Sequence, residues 1–169
     1  KDLVKKINLL ESRGQKTILL GVSFALLDLL EYHRFHLKNT LIMETGGMKG
    51  KRKEITRMEL HQILCDGFGC KKIHSEYGMT ELFSQAYSNG DGIFECQPWM
   101  QVSIRENQDP FQPLQNGQTG GINIIDLANR DSCAFIATDD IGKVHSSKKF
   151  EVLGRFDHSE ARGCNLMMF

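Results

Sequence analysis

Hydrophobic and polar positions alternate along this chain in two different rhythms. Residues 2–12 carry Leu3, Val4, Ile7, Leu9 and Leu10 among charges, a helical spacing that predicts an amphipathic helix. "KTILLG" then reads as a short buried strand, and "SFALLDLLEYHRFH" as a helix with Ser23 at the N-cap position. "TLIMETGG" is a second apolar strand that ends in glycines. In "ITRMEL", Thr56 and Glu59 have the spacing of a capping box, and Ile55 and Leu60 that of a hydrophobic staple. The helix they open is expected to run to about Cys65 and stop near Gly67 or Gly69. "KKIHSEYG" supplies a third strand. The order β-α-β-α-β predicts an α/β subdomain with a parallel, helix-covered sheet.

After residue 88 the helical period disappears. "SNGDG" and "QNGQTGG" are turn sequences. Around them lie "IFECQPWMQVSIRE", "GINIIDLA", "CAFIATDDIG" and "FEVLGRFD". These short apolar runs predict a small antiparallel, β-barrel-like or curled subdomain. The expected division is therefore an α/β subdomain over residues 1–90 and a mainly β subdomain over 91–169.

Charge excludes some functions. The 21 basic and 21 acidic residues cancel, so no net field favours nucleic acid or an anionic membrane. The run Lys49, Lys51, Arg52 and Lys53 lies among glycines without interleaved aromatics and reads as a solvated loop. The longest apolar stretch, "TILLGVSFALLDLL", is interrupted by Ser23 and Asp28 and is too short to span a bilayer. The five cysteines, at 65, 70, 96, 133 and 164, form no Cys-x-x-Cys pair, which argues against zinc and against a disulfide framework. Small core thiols in a reducing, cytoplasmic setting fit better. The first residue is Lys1, and a piece of a longer protein is expected.

Three short stretches could carry chemistry. In "HSEYGMTEL", Tyr77 offers a ring for a flat base, Gly78 gives clearance, Thr80 can donate to a phosphate oxygen and Glu81 can hold Mg²⁺. The alternative is a turn followed by a helix with Thr80 and Glu81 in its first turn. In "FIATDDIG", Asp139 and Asp140 can accept from the two hydroxyls of a ribose, or can simply open a turn before Gly142. In "VLGRFDHSEARGCNLM", Arg155 and Arg162 offer forked donors, and their charge would favour the thiolate of Cys164. Otherwise Arg155 pairs with Asp157 and Cys164 packs in the tail.

Taken in order, the three resemble the signature series of the adenylate-forming superfamily of acyl-CoA synthetases, firefly-type luciferases and peptide-synthetase adenylation domains. Tyr77, Gly78, Thr80 and Glu81 match its aromatic-Gly-x-Thr-Glu motif. Thr138 and Asp140 match Thr-Gly-Asp, with Asp139 in place of the glycine. Gly154, Arg155 and Asp157 match Gly-Arg-x-Asp. The tail "GRFDHSEARGCNLM" and the stretch "IIDLANRDSCAFIATDDIG" are most similar to one branch, the acyl-protein synthetases of bacterial bioluminescence operons. The phenylacetate-CoA ligase branch comes second.

The resemblance implies a partial adenylate-forming fold and a set of roles. Tyr77 would stack on adenine, with Gly78 and Met79 lining the pocket. Thr80 would touch the α-phosphate, and Glu81 would help to bind Mg²⁺. Asp140 would take the ribose hydroxyls with help from Arg155. Asp157 would be a hinge, and Cys164 would accept the acyl group. Met43, Met79 and Trp99 would shape the acyl tunnel.

The implied activity is ATP-dependent activation of a carboxylic acid, a fatty acid by the resemblance, as an acyl-adenylate, followed by transfer to a protein cysteine. An acyl-accepting or reductase protein would be the partner. A CoA ligase or a non-catalytic nucleotide-binding remnant are the alternatives. The family's phosphate loop would lie upstream of Lys1.

Overall fold

The computed structural model describes residues 1–48, 50–53, 55–146 and 148–156. The chain divides into two compact units, with the boundary between Ser75 and Glu76. Among the described residues, no helix is long and apolar enough to cross a membrane.

The first unit contains α1 (Asp2–Ser12), β1 (Thr17–Val22), α2 (Ser23–Tyr32), β2 (Thr40–Thr45), α3 (Arg57–Phe68) and the start of β3 (His74–Tyr77). β1 and β2 pair in parallel from Thr17↔Thr40 to Val22↔Thr45, as the alternating pattern predicts. Its core includes Leu26, Phe35, Ile42, Leu64, Phe68 and Ile73, with the Phe35 and Phe68 rings stacked at 5.5 Å.

α3 starts as its sequence requires. The Thr56 hydroxyl accepts from the Glu59 N–H, and the Glu59 carboxylate accepts from the Thr56 N–H at 2.9 Å. It ends at Gly69, which adopts the left-handed conformation with φ of 65°. α2 differs from expectation at both ends. It stops at Tyr32 because the following segment turns extended, and the Phe35 and Leu37 N–H groups donate to the Gly67 and Phe68 carbonyls. Those are terminal α3 carbonyls that the helix itself leaves unpaired. Ser23 does not cap α2; its hydroxyl faces the Glu44 carboxylate at 3.0 Å and the Gly46 carbonyl at 2.9 Å. The basic run is not purely solvated either: the Arg52 guanidinium pairs with Asp28 and Glu31 on α2.

The second unit holds β4 (Ala86–Ser88), β5 (Ile93–Glu95), β6 (Met100–Arg105), β7 (Thr119–Asp126), β8 (Phe135–Ser146) and β9 (Lys149–Arg155). A short 3-10 turn, Leu127–Asn129, follows β7. The strand order is β4-β5-β9-β8-β7-β6, with antiparallel pairing at each step. This is the antiparallel subdomain expected, in an open row that ends at β6 rather than a closed barrel. Along β6, Met100, Val102 and Ile104 alternate inward with exposed Gln101 and Ser103. They join Ile122, Ile124, Phe94 and Phe150 in one core, where the two phenylalanine rings stack at 5.5 Å.

Candidate active site

All three motifs meet within the second unit. Tyr77 ends β3, Asp140 lies in β8 and Arg155 ends β9. The β8–β9 register sets Asp140 directly opposite Arg155, next to a bulge between Ile141 and Gly142. Such bulges bend a strand and re-aim its side chains. The Tyr77 hydroxyl donates to Asp140 Oδ2 at 2.7 Å, and Arg155 Nε lies 3.4 Å from Asp140 Oδ1. Arg155 also reaches Asp139 Oδ2 at 3.5 Å, so it spans both carboxylates. The two aspartates differ in setting: the Asp140 side chain is 15% exposed and that of Asp139 52%. Alternation along β8 thus selects Asp140 as the inward carboxylate.

Thr138 supports this arrangement from below. Its buried hydroxyl donates to the Ile122 carbonyl at 3.0 Å and accepts from the Asp140 N–H at 3.1 Å. Arg105 adds a second brace, donating to the Ile122 and Thr138 carbonyls at 2.8 and 2.7 Å. The Tyr77 ring packs edge-on to Phe150 and is only 8% exposed. Its burial, and then the Asp140 charge that its hydroxyl faces, push the phenol pKa far above the ordinary tyrosine value. Tyr77 is therefore a permanent donor to Asp140.

The segment after Tyr77 forms turns, not the helix that was the alternative reading. Gly78, Thr80 and Glu81 are exposed, Met79 packs partly against the core, and the Leu82 N–H closes a turn onto the Met79 carbonyl at 3.1 Å. A Cβ on Gly78 would come within 3.1 Å of Gln85 Cγ, so the glycine provides clearance inside the loop itself. Among the described residues, no group of three or more His, Cys, Asp or Glu side chains gathers where a metal could sit. One exposed carboxylate, Glu81, still fits Mg²⁺, which is commonly held by one or two carboxylates together with substrate phosphates.

Asp157, Arg162 and Cys164 lie outside the described residues. Met43 belongs to β2 of the first unit. Trp99 lines an open groove of about 300 Å³ with Phe83, Ser84, Gln85, Tyr87 and Gln97.

The sequence reading missed Asp126 and Asn129. The fully buried Asp126 carboxylate accepts from the Phe83 N–H at 2.9 Å, the Ser84 N–H at 2.8 Å, the Ser84 hydroxyl at 2.7 Å and the Ala128 N–H at 3.1 Å. Burial works against its charge, but these donors outweigh it and hold its pKa below the usual aspartate value. Asn129 donates to the Glu81 carbonyl at 2.8 Å and to that of Cys133 at 3.0 Å. The available signal was the placement of Asp126 at the end of the apolar run "GINIID", where a buried carboxylate must find partners.

Comparison with known proteins gives this geometry a family. The family model "Acyl-protein synthetase, LuxE" matches residues 2–169. A long-chain-fatty-acid–luciferin-component ligase of Aliivibrio fischeri is 24% identical over 139 residues, covering 75% of this chain and 36% of its own length. ATP-bound MatB from Rhodopseudomonas palustris superposes with a TM-score of 0.61 at 19% identity, over 89% of this chain and 33% of that one. The O-succinylbenzoate coenzyme A synthetase MenE of Bacillus subtilis, in complex with AMP, gives 0.60 at 21% identity, over 91% and 33%. At these identities the two structures establish the mixed α/β fold with its large sheet. The chain spans about a third of the length of each of these proteins. The match over nearly the whole chain makes it a member of the LuxE acyl-protein synthetase family.

Proposed function

We propose that this chain supplies the nucleotide-facing part of an enzyme that activates a carboxylic acid with ATP and passes the acyl group to a protein cysteine. The observation that carries this reading is the Tyr77–Asp140–Arg155 link, which joins three motifs far apart in sequence. Ribose hydroxyls need an acceptor, and a carboxylate has about four lone-pair positions. Tyr77 and Arg155 engage Asp140 without exhausting them. Arg155 keeps a counter-charge beside the carboxylate. The Tyr77 ring would stack on adenine once its face is uncovered, beside Gly78 and Met79.

In the first step a substrate carboxylate oxygen attacks the α-phosphorus of ATP. The bond to the β-phosphate bridging oxygen breaks, and pyrophosphate leaves. Thr80 would donate to an α-phosphate oxygen as charge accumulates there, and Glu81 would hold Mg²⁺. The ion supplies neutralisation of the phosphate charge. In the second step the Cys164 thiol gives up its proton to solvent and its sulfur attacks the acyl carbonyl; the carbon–sulfur bond forms, the bond from the acyl carbon to the phosphate oxygen breaks, and AMP leaves. Asp157 would be the hinge between the two steps. The name of the Aliivibrio fischeri relative supports a fatty acid as substrate; an acyl-accepting or reductase protein as partner and a cytoplasmic location complete the proposal.

Calorimetric titration with AMP tests the nucleotide half of this reading. Wild type is expected to bind, and Asp140→Ala to bind about tenfold more weakly through loss of a charged acceptor. Equal affinity in the two proteins would contradict it.

A further inference from the structure

The Asp126 carboxylate has no access to solvent, yet it gathers its donors from the segment that follows the Tyr77–Glu81 motif. Its oxygens take the backbone N–H groups of Phe83 and Ser84 and the Ser84 hydroxyl, which itself accepts from Trp99 Nε1 at 2.8 Å. Asn129, three residues further on, holds the Glu81 carbonyl. The downstream end of the motif loop is thus fixed at Glu81, Phe83 and Ser84, by one side chain from the last residue of β7 and one from the turn that follows it. Thr80 and Glu81 remain exposed above these anchors. A buried carboxylate costs free energy unless fully hydrogen-bonded, and an apolar residue would fill that corner more cheaply. Three of the four donors to Asp126 and one of the two acceptors of Asn129 belong to this loop; the others, the Ala128 N–H and the Cys133 carbonyl, lie in the turn that follows β7 and just after it.

We infer that Asp126 and Asn129 are positioning residues that hold Thr80 and Glu81 in the geometry needed to receive the phosphate of a bound nucleotide. The inference rests on the nucleotide reading above and deepens it. Neither residue touches the phosphate itself. Their effect is on the phosphate-facing loop and not on the ribose-facing group of Tyr77, Asp140 and Arg155, which is held separately through Thr138 and Arg105.

That separation gives the test its discriminating readout. Adenosine and AMP are titrated calorimetrically into wild type and Asp126→Asn, with thermal melting to confirm folding. Adenosine affinity should be nearly unchanged in the variant, while AMP affinity should fall about tenfold, as expected when buried backbone donors lose a charged acceptor. The ratio of the two affinities is the quantity that general destabilisation would not move. Ser84→Ala, which keeps both backbone N–H groups on Asp126, is expected to shift the ratio in the same direction by a smaller factor, and it carries the test if Asp126→Asn does not fold. Wild type that binds AMP, together with a folded variant whose ratio is unchanged, would overturn the positioning role and leave the nucleotide reading intact. Wild type that binds neither ligand would overturn both.

Discussion

The Tyr77 hydroxyl donates to Asp140 at 2.7 Å across 63 positions of sequence. Neither motif requires the other locally: one begins at the last residue of a strand of four, and the other lies within a strand of twelve. Their junction turns two short sequence patterns into one acceptor with a defined orientation.

Tyr77→Phe isolates that junction. The ring and its packing against Phe94 and Phe150 survive, while Asp140 loses a neutral donor and retains Arg155. Stability is expected to fall by about 1 kcal/mol, the usual worth of one hydrogen bond. AMP affinity should fall with it, since the carboxylate is no longer held. Urea unfolding and AMP titration of the same preparation measure both effects.

Acid sensitivity follows from Asp126. Its folded pKa is depressed, so its stabilising contribution is fully present above the unfolded value, about 3.9, and disappears as pH falls through the lower folded value. Asp126→Asn is expected to be less stable than wild type by about 2 kcal/mol at neutral pH. The gap should narrow steadily below about pH 4. Urea midpoints of the two proteins at pH 7 and pH 3 would show it; a gap that stays constant with pH would remove the charge from the explanation.

Gly69→Ala tests the α3 terminus. The left-handed conformation costs an L residue about 1–2 kcal/mol. A Cβ there would also meet the Phe35 carbonyl oxygen and the His36 Cα, each at 3.0 Å. The two effects add, and because the second contact is with backbone, side-chain rotation cannot relieve it. Thermal unfolding should show a loss larger than the conformational term alone.

What was legible in the sequence follows the range of the interactions. The Thr56–Glu59 capping box and the Gly69 stop depend on residues a few positions apart, and both are present as read. The parallel β1–β2 pair follows from two apolar runs separated by a helix. Ser23 was misread because its hydroxyl answers to Glu44, 21 positions away, and not to its own helix. The end of α2 was misplaced because Phe35 and Leu37 take the carbonyls at the α3 terminus. At the candidate site, the family resemblance singled out Tyr77, Asp140 and Arg155; the Tyr77 hydroxyl meets Asp140, and the β8–β9 register sets Asp140 opposite Arg155. Asp126 was invisible to motif reading, since its partners at 83 and 84 lie more than forty positions earlier in the chain.

The most direct test of the proposed chemistry is transfer from a supplied acyl-adenylate, which bypasses the adenylation step. Wild type and Cys164→Ser would be followed by intact-mass spectrometry before and after hydroxylamine. The account predicts an acyl adduct on wild type that hydroxylamine removes and that Cys164→Ser does not form. An absent adduct, or one formed equally by Cys164→Ser, would contradict acyl transfer through this cysteine.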